Sequence, residues 1–114
     1  METLEMTLLY DYYGDLLTDR QKQCFDLRYN QDLSLSEIAQ ELKVSRQGVY
    51  DNLSRAESLL RNMEEKTGCV RRDRVLRNAE EVILKAAQEL LSSKDDHVSG
   101  CARQIIAAVQ NLKE

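Results

Sequence analysis

A chain of 114 residues, 42% hydrophobic and 32% charged, has the make-up of one small globular domain spanning 1–114, which is expected rather than two domains and excludes a disordered tail. Proline is absent, glycine occurs four times and 5% of residues are aromatic, so the turn chemistry of a β-sandwich or barrel is missing and the expected class is all-α. The formal charge of −4, with four acids and no base in residues 1–17, excludes coating of nucleic acid or anionic membrane by bulk electrostatics; any polyanion must bind locally.

The first predicted helix carries Leu4, Leu8, Leu9, Tyr12 and Tyr13 at three- and four-residue spacing and ends at Gly14, after which Leu16 and Leu17 are expected to point inward. Thr18 with Gln21 is a capping-box pair opening a second helix, whose inner face is Cys24, Phe25, Leu27 or the Arg28 stem, and Tyr29, and which Asn30-Gln31-Asp32 breaks. Ser34 with Glu37 is another such pair, with Leu33 and Ile38 as a hydrophobic staple, and this short third helix ends near Leu42. Ser45 caps a fourth helix with Val44 and Val49 as staple; Val49, Leu53, Ala56, Leu59 and Leu60 carry it to about Met63, and Gly68 can stop it.

Beyond Gly68, Leu76, Ala79, Ile83, Ala86 and Leu90 form a heptad-like stripe that Val75 and Val82 widen. Ser92-Ser93-Lys94-Asp95-Asp96 reads as a loop, and Cys101, Ile105, Ala108 and Leu112 as the apolar face of a last helix, so residues 70–112 are expected to fold as a helical hairpin. The stripe is wider than one short helix covers, and a domain of this size gains from assembly. It is therefore expected to make a homodimer, the alternative being cover by the first helix through Leu4, Leu8 and Tyr12.

Residues 17–63 carry the motif that informs most. A helix-turn-helix needs a small residue where its helices cross, a tight turn and an aliphatic anchor on the second helix. Ala39, Lys43 and Val49 fill those places, with Ile38, Leu42, Val44 and Leu53 around them and no wing following. Lys43 takes the turn position often given to glycine for its left-handed backbone.

Leu17-Thr18-Asp19-Arg20-Gln21, Leu33 to Leu42 and Val44-Ser45-Arg46-Gln47-Gly48-Val49 resemble region four of bacterial sigma factors over residues 17–60. More closely, Leu8-Leu9 to Leu17 ahead of the motif, with Ser45 to Asn52 and Arg55-Ala56-Glu57 inside it, resembles the YlxM-like family of helix-turn-helix proteins. That resemblance implies a regulatory accessory of the signal recognition particle pathway, since family members are typically encoded beside the particle's GTPase. Its implied partners are that GTPase or the particle's RNA.

The helix opening at Ser45 turns Arg46, Gln47, Tyr50, Asp51 and Ser54 outward, with Arg55 in the same stretch. Arg46 and Gln47, in the first turn, can reach base edges or phosphates. Asp51 is unfavourable beside a phosphate backbone, which weakens a sequence-specific DNA reading and leaves RNA or protein contacts ahead of it. Tyr50 either stacks on an unpaired base or covers its own helix. Arg71, Arg72 and Arg74, with Arg77 close by, either seat a phosphate backbone or simply make a solvated helix start.

Catalysis has little to stand on. The single His97 permits no common nucleophile, base and orienter set, no glycine-rich phosphate loop occurs, and His97 with Cys101 is one ligand short of a zinc site. A non-enzyme without cofactor or metal is expected. The uneven set Cys24, Cys69 and Cys101 contains no CxxC pair and suits a reducing compartment. Ile105–Val109, the longest aliphatic run, is too short to cross a bilayer, and the Met1-Glu2 start lacks a basic leader, so a cytoplasmic location away from membranes is expected. Three functions compete: an accessory of the particle acting through RNA or protein, a DNA-binding transcription factor, and a structural adaptor.

Overall fold

Where the chain enters and leaves its helices is decided by caps of a few residues each. The structure is a computed structural model describing residues 3–112; the Met1-Glu2 start lies outside the described residues. Six α-helices follow one another: α1 (Thr3–Tyr13), α2 (Asp19–Phe25), α3 (Leu35–Leu42), α4 (Arg46–Thr67), α5 (Cys69–Leu90) and α6 (Asp96–Leu112). A 3-10 turn at Gly14–Leu16 follows α1, and a π turn at Asp26–Asn30 continues α2. The class is all-α, a helix-turn-helix followed by C-terminal helices, with no strand among the described residues. Two compact units divide the chain, one ending at Val70 and the other beginning at Arg71.

In the first unit both expected capping boxes are formed. Thr18 Oγ1 accepts from Gln21 N–H at 3.2 Å while the Gln21 side chain accepts from Thr18 N–H at 2.9 Å. Ser34 Oγ and Glu37 repeat the exchange at 3.1 and 3.0 Å, and these bonds hold the Glu37 carboxyl below its ordinary range. Two residues close α3. Lys43 adopts the left-handed conformation (φ 58°, ψ 44°), Val44 N–H returns to Ala39 O at 3.0 Å, and Lys43 N–H reaches back to Ala39 and Gln40. A non-glycine residue there costs ~1–2 kcal/mol. Ile38 and Val49, fully buried on either side, each contribute ~1.5–3 kcal/mol, so the turn is held by what it brings together.

The core of this unit has two parts that share α4. Around the motif, Cys24, Ile38, Ala39, Val49 and Leu53 pack with Leu27, Leu33, Leu35 and Leu42. Beside it, Met6, Leu9, Tyr13, Leu17, Phe25, Ala56, Leu60 and Val70 form the second part. Phe25 stacks between Tyr10 and Tyr29, at centroid distances of 4.6 and 4.4 Å. Two tyrosines anchor onto α4 by their hydroxyls: Tyr29 donates to Glu57, and Tyr13 donates to Glu64 at 2.6 Å while also meeting the Thr67 hydroxyl. Glu64 accepts from Val70 N–H as well, at 3.0 Å, joining α1, α4 and the start of α5. Burial, then the bond to Glu57, pushes the Tyr29 phenol up to about 12.

Several expected faces are corrected. On α1 the buried side chains are Met6, Leu9 and Tyr13, while Leu4 is 81% exposed and Tyr12 lies outside; the helix is apolar on two sides, so spacing alone did not select the inner one. Leu16 points to solvent and only Leu17 inward, because the 3-10 turn separates them. The fourth helix runs past Met63 to Thr67, where Gly68 ends it in a left-handed conformation (φ 64°). In the second unit the single chain leaves the stripe open, as pairing with a second copy would require: Val75, Leu76, Val82, Ile83 and Leu90 are all exposed, and Ala87 is buried. Likewise α6 buries Ser99, Ala102 and Val109 and leaves Cys101, Ile105 and Leu112 outside.

Ala39→Leu forces three extra carbons into the crossing of α3 and α4 and is expected to cost ~1–3 kcal/mol, lowering the melting temperature by several degrees. An unchanged calorimetric melt would refute that crossing. For Tyr29 the raised phenol means that stability is intact below its ordinary value of 10.0 and declines as pH rises toward about 12, because only the unfolded phenol ionises there. Tyr29→Phe is expected to shrink that decline in urea midpoints measured across the interval; an identical profile would contradict the assignment.

Candidate nucleic-acid interface

The motif's second helix begins with a strong cap. Ser45 Oγ accepts from Gly48 N–H at 2.9 Å, and a Cβ at Gly48 would come within 3.1 Å of that same oxygen, so the absence of a side chain leaves the cap its room. No acidic residue occupies the first turn of α4, in contrast with α2, α3 and α6, which carry Asp19, Glu37 and Asp96 there. The positive end of the α4 dipole is therefore left for an outside anion. Val49 and Leu53, buried in the motif core, set the rotation of the helix.

That rotation exposes Arg46, Gln47, Tyr50, Asp51 and Arg55, with Ser54 half-buried among them. Tyr50 is 55% exposed. Gln47 Nε2 donates to Asp51 Oδ1 at 3.0 Å, so the two are coupled along the face. One of the two amide protons is engaged, and the other remains a donor beside the acceptors Gln47 Oε1 and the Asp51 carboxylate. Asn52 Nδ2 turns back to Gly48 O at 2.9 Å and stays within the helix. The face thus combines two cations, Arg46 and Arg55, and a helix N-terminus with the Gln47–Asp51 pair and an aromatic ring.

The structure brings Ser45, Arg46, Gln47, Tyr50, Asp51, Ser54 and Arg55 together on the first half of α4. Arg71, Arg72 and Arg74 are exposed on the opening turns of α5, in the other unit, where the neighbouring Arg77 pairs with Asp73 at 3.0 Å. Sequence reading missed the continuation of the α4 face. Ser54, Arg55, Ser58, Leu59, Asn62, Met63 and Lys66 line an open groove of about 520 Å³. The recurrence of polar Ser54, Ser58, Asn62 and Lys66 every four residues was the available signal. Leu59, expected inside, is half-buried and floors that groove.

For catalysis or metal binding the geometry offers less. His97 Nε2 and Cys101 Sγ lie 3.8 Å apart, and no set of three potential ligands occurs among the described residues. Nor is any helix among them long and apolar enough to cross a membrane.

A capped, exposed second helix held by a tight turn on a tri-helical core defines a helix-turn-helix protein. Residues 1–98 match the family described as "Putative helix-turn-helix protein, YlxM / p13 like", and the chain belongs to that family. A UPF0122 protein of Thermoanaerobacter sp. (strain X514) is 48% identical over 110 residues, covering 96% of this chain and 94% of that one. Another UPF0122 protein, from Caldanaerobacter subterraneus, is 56% identical over 69 residues, or 60% of this chain and 59% of its own length. One from Bacillus cereus (strain AH187) is 38% identical over 111 residues, covering 97% and 96% respectively.

Arg46→Ala combined with Gln47→Ala is expected to leave the melting temperature within about a degree of wild type, because both side chains stand off the core, while weakening ligand binding at least tenfold. Gel-shift titration and calorimetry on one preparation check both halves; unaltered binding to every ligand tried would take this face out of the site.

Proposed function

We propose that the chain is a non-enzymatic regulator that binds nucleic acid through the first turns of α4, working in the cytoplasm as a homodimeric accessory of the signal recognition particle pathway. The observation that carries the binding is the exposed N-terminus of α4, capped by Ser45, free of acid in its first turn and bearing Arg46 and Gln47. Its placement in the particle's pathway is supported by the YlxM-like resemblance, which brings with it the particle's RNA and GTPase as partners. Asp51 favours RNA over duplex DNA: its carboxylate would repel a continuous phosphate wall, whereas the acceptors it forms with Gln47 suit the amino groups of unpaired bases, and Tyr50 offers a stacking plane.

A second reading, a DNA-binding transcription factor, is favoured by the sigma-like core and by Arg55 standing outward one turn beyond Asp51. The third, a structural adaptor, is favoured by the open groove beside Leu59 and Met63.

Affinities for the particle's RNA, for duplex DNA and for the particle's GTPase, measured at two stated salt concentrations, separate the three. Preference for the RNA with a steep salt slope supports the proposal, and binding of the GTPase alone overturns it. Charge reversal of Arg71, Arg72 and Arg74 is expected to lower RNA affinity and flatten the salt slope by roughly one unit per lost phosphate contact. Lower affinity with an unaltered slope would remove these arginines from the phosphate-binding surface.

A further inference from the structure

We propose that the exposed apolar sides of α5 and α6 form one surface that seats a second copy of this chain, with the two α5 helices antiparallel across a two-fold axis. This gives the homodimer of the proposed function its interface, and it rests on that reading only for the pairing itself, since every observation behind it lies in the second unit.

The second unit is inside out for a monomer. Its buried side chains are small or polar, Glu80, Ala87, Ser99 and Ala102, with Val109 the one branched aliphatic among them. Leu84, Val98 and Ile106 are half-buried, but most of its large aliphatic residues are outside: Val75 is 64% exposed, Leu76 52%, Val82 69%, Ile83 44% and Leu90 46% on α5, with Ile105 40% and Leu112 66% on α6. Leaving such residues in water while alanines are covered forgoes the main driving force of folding unless something else covers them.

The two exposed strips belong to one surface. On α5, Leu76, Ala79, Ile83, Ala86 and Leu90 lie roughly a quarter turn from the buried side holding Glu80 and Ala87. On α6, Cys101, Ile105, Ala108 and Leu112 lie about a quarter turn, in the same rotational sense, from the buried Ser99, Ala102 and Val109. The five residues 91–95 that join α5 to α6 make the helices antiparallel neighbours, and antiparallel helices with equal offsets carry both strips to the same side of the hairpin. Consistent with this, Leu76 and Leu112 line one groove of about 220 Å³, together with Asp73, Arg77, Glu80 and Glu81.

Area and charge both identify a second copy as the occupant. Seven roughly half-exposed aliphatic residues present on the order of 500 Å² of apolar surface, above what scattered surface hydrophobes give and approaching the ~800 Å² that each partner of a standard interface buries. Along α5, residues 71–77 carry four arginines against one aspartate, whereas residues 80–89 carry three glutamates against one lysine. Antiparallel two-fold pairing sets the basic half of each α5 against the acidic half of the other, while parallel pairing would set like against like. Ala79 and Ala86, both exposed, allow the two helices to approach closely.

Sedimentation equilibrium of the full chain at micromolar concentration tests this without any nucleic acid, so its outcome is separate from that of the α4 reading. The expected mass is twice the 13.2 kDa of one chain. Ile83→Asp and Ile105→Asp are each expected to weaken the dimer by roughly a hundredfold, with helical circular dichroism retained because both positions are exposed in the single chain. Should either aspartate variant lose its helix signal, Leu76→Ala and Ile83→Ala give the milder reading, a dimer weakened about tenfold by each. A wild-type mass of one chain would overturn the proposal and leave the surface to a different protein. A dimer whose dissociation constant is the same in every folded variant would overturn it equally, by placing the contact elsewhere.

Discussion

Continuous burial along one side of α4 is the constraint on which the first unit depends. Val49 and Leu53 lock the helix into the motif core, and Ala56 and Leu60, further along the same side, lock it into the tyrosine-rich core beside it. No break separates the two, so the helix that presents Arg46 and Gln47 is also the beam against which α1 and α2 pack. Tyr29 and Tyr13 fasten that beam through Glu57 and Glu64. Bonds of this kind suit a surface that must hold its orientation, since each fixes a side chain at both ends and lets neither helix rotate alone.

Against that beam, the short link through Lys43 and Val44 sets the angle at which α3 meets α4. Its left-handed residue is a local conflict settled by tertiary burial, and the conflict stands directly ahead of the cap that opens the candidate interface. The backbone of the candidate interface is consequently placed by this turn and by the burial of Val49 and Leu53. Among its side chains, Gln47 and Asp51 hold each other, which leaves Arg46 and Tyr50 as the members of the face best able to adapt.

How much of this was legible from residues alone depended on the range of the interaction. Thr18 with Gln21, and Ser34 with Glu37, announce helix starts because the whole interaction lies within four residues. Ala39, Lys43 and Val49 announce the turn because their spacing of four and then six residues keeps it local as well. On α1 the reading failed at Met6, since Leu4, Leu8 and Tyr12 make as good a period as Met6, Leu9 and Tyr13, and only packing against Phe25 and Leu60 separates them. For α5 and α6, periodicity identified an apolar strip but carried no information about what that strip meets. At the candidate interface the outward residue types were plain from spacing, whereas the Gln47–Asp51 bond and the groove running to Lys66 required rotamers and neighbouring surface, which no pattern of residue types contains.

Three thiols in contrasting surroundings give the molecule a built-in chemical clock. Cys24 is wholly buried in the motif core, where burial pushes its thiol up, so an alkylating reagent can meet it only when that core opens. Cys101 is exposed on the outer strip of α6, and Cys69 is half-buried at the junction before α5. Once Cys69 is replaced, the slow label at Cys24 reports breathing of the helix-turn-helix in the intact chain. The fast label at Cys101 reports whether the surface around Ile105 is open to solvent. Both rates come from one sample, so the opening free energy of the motif and the occupancy of the second unit can be followed side by side as a ligand is added.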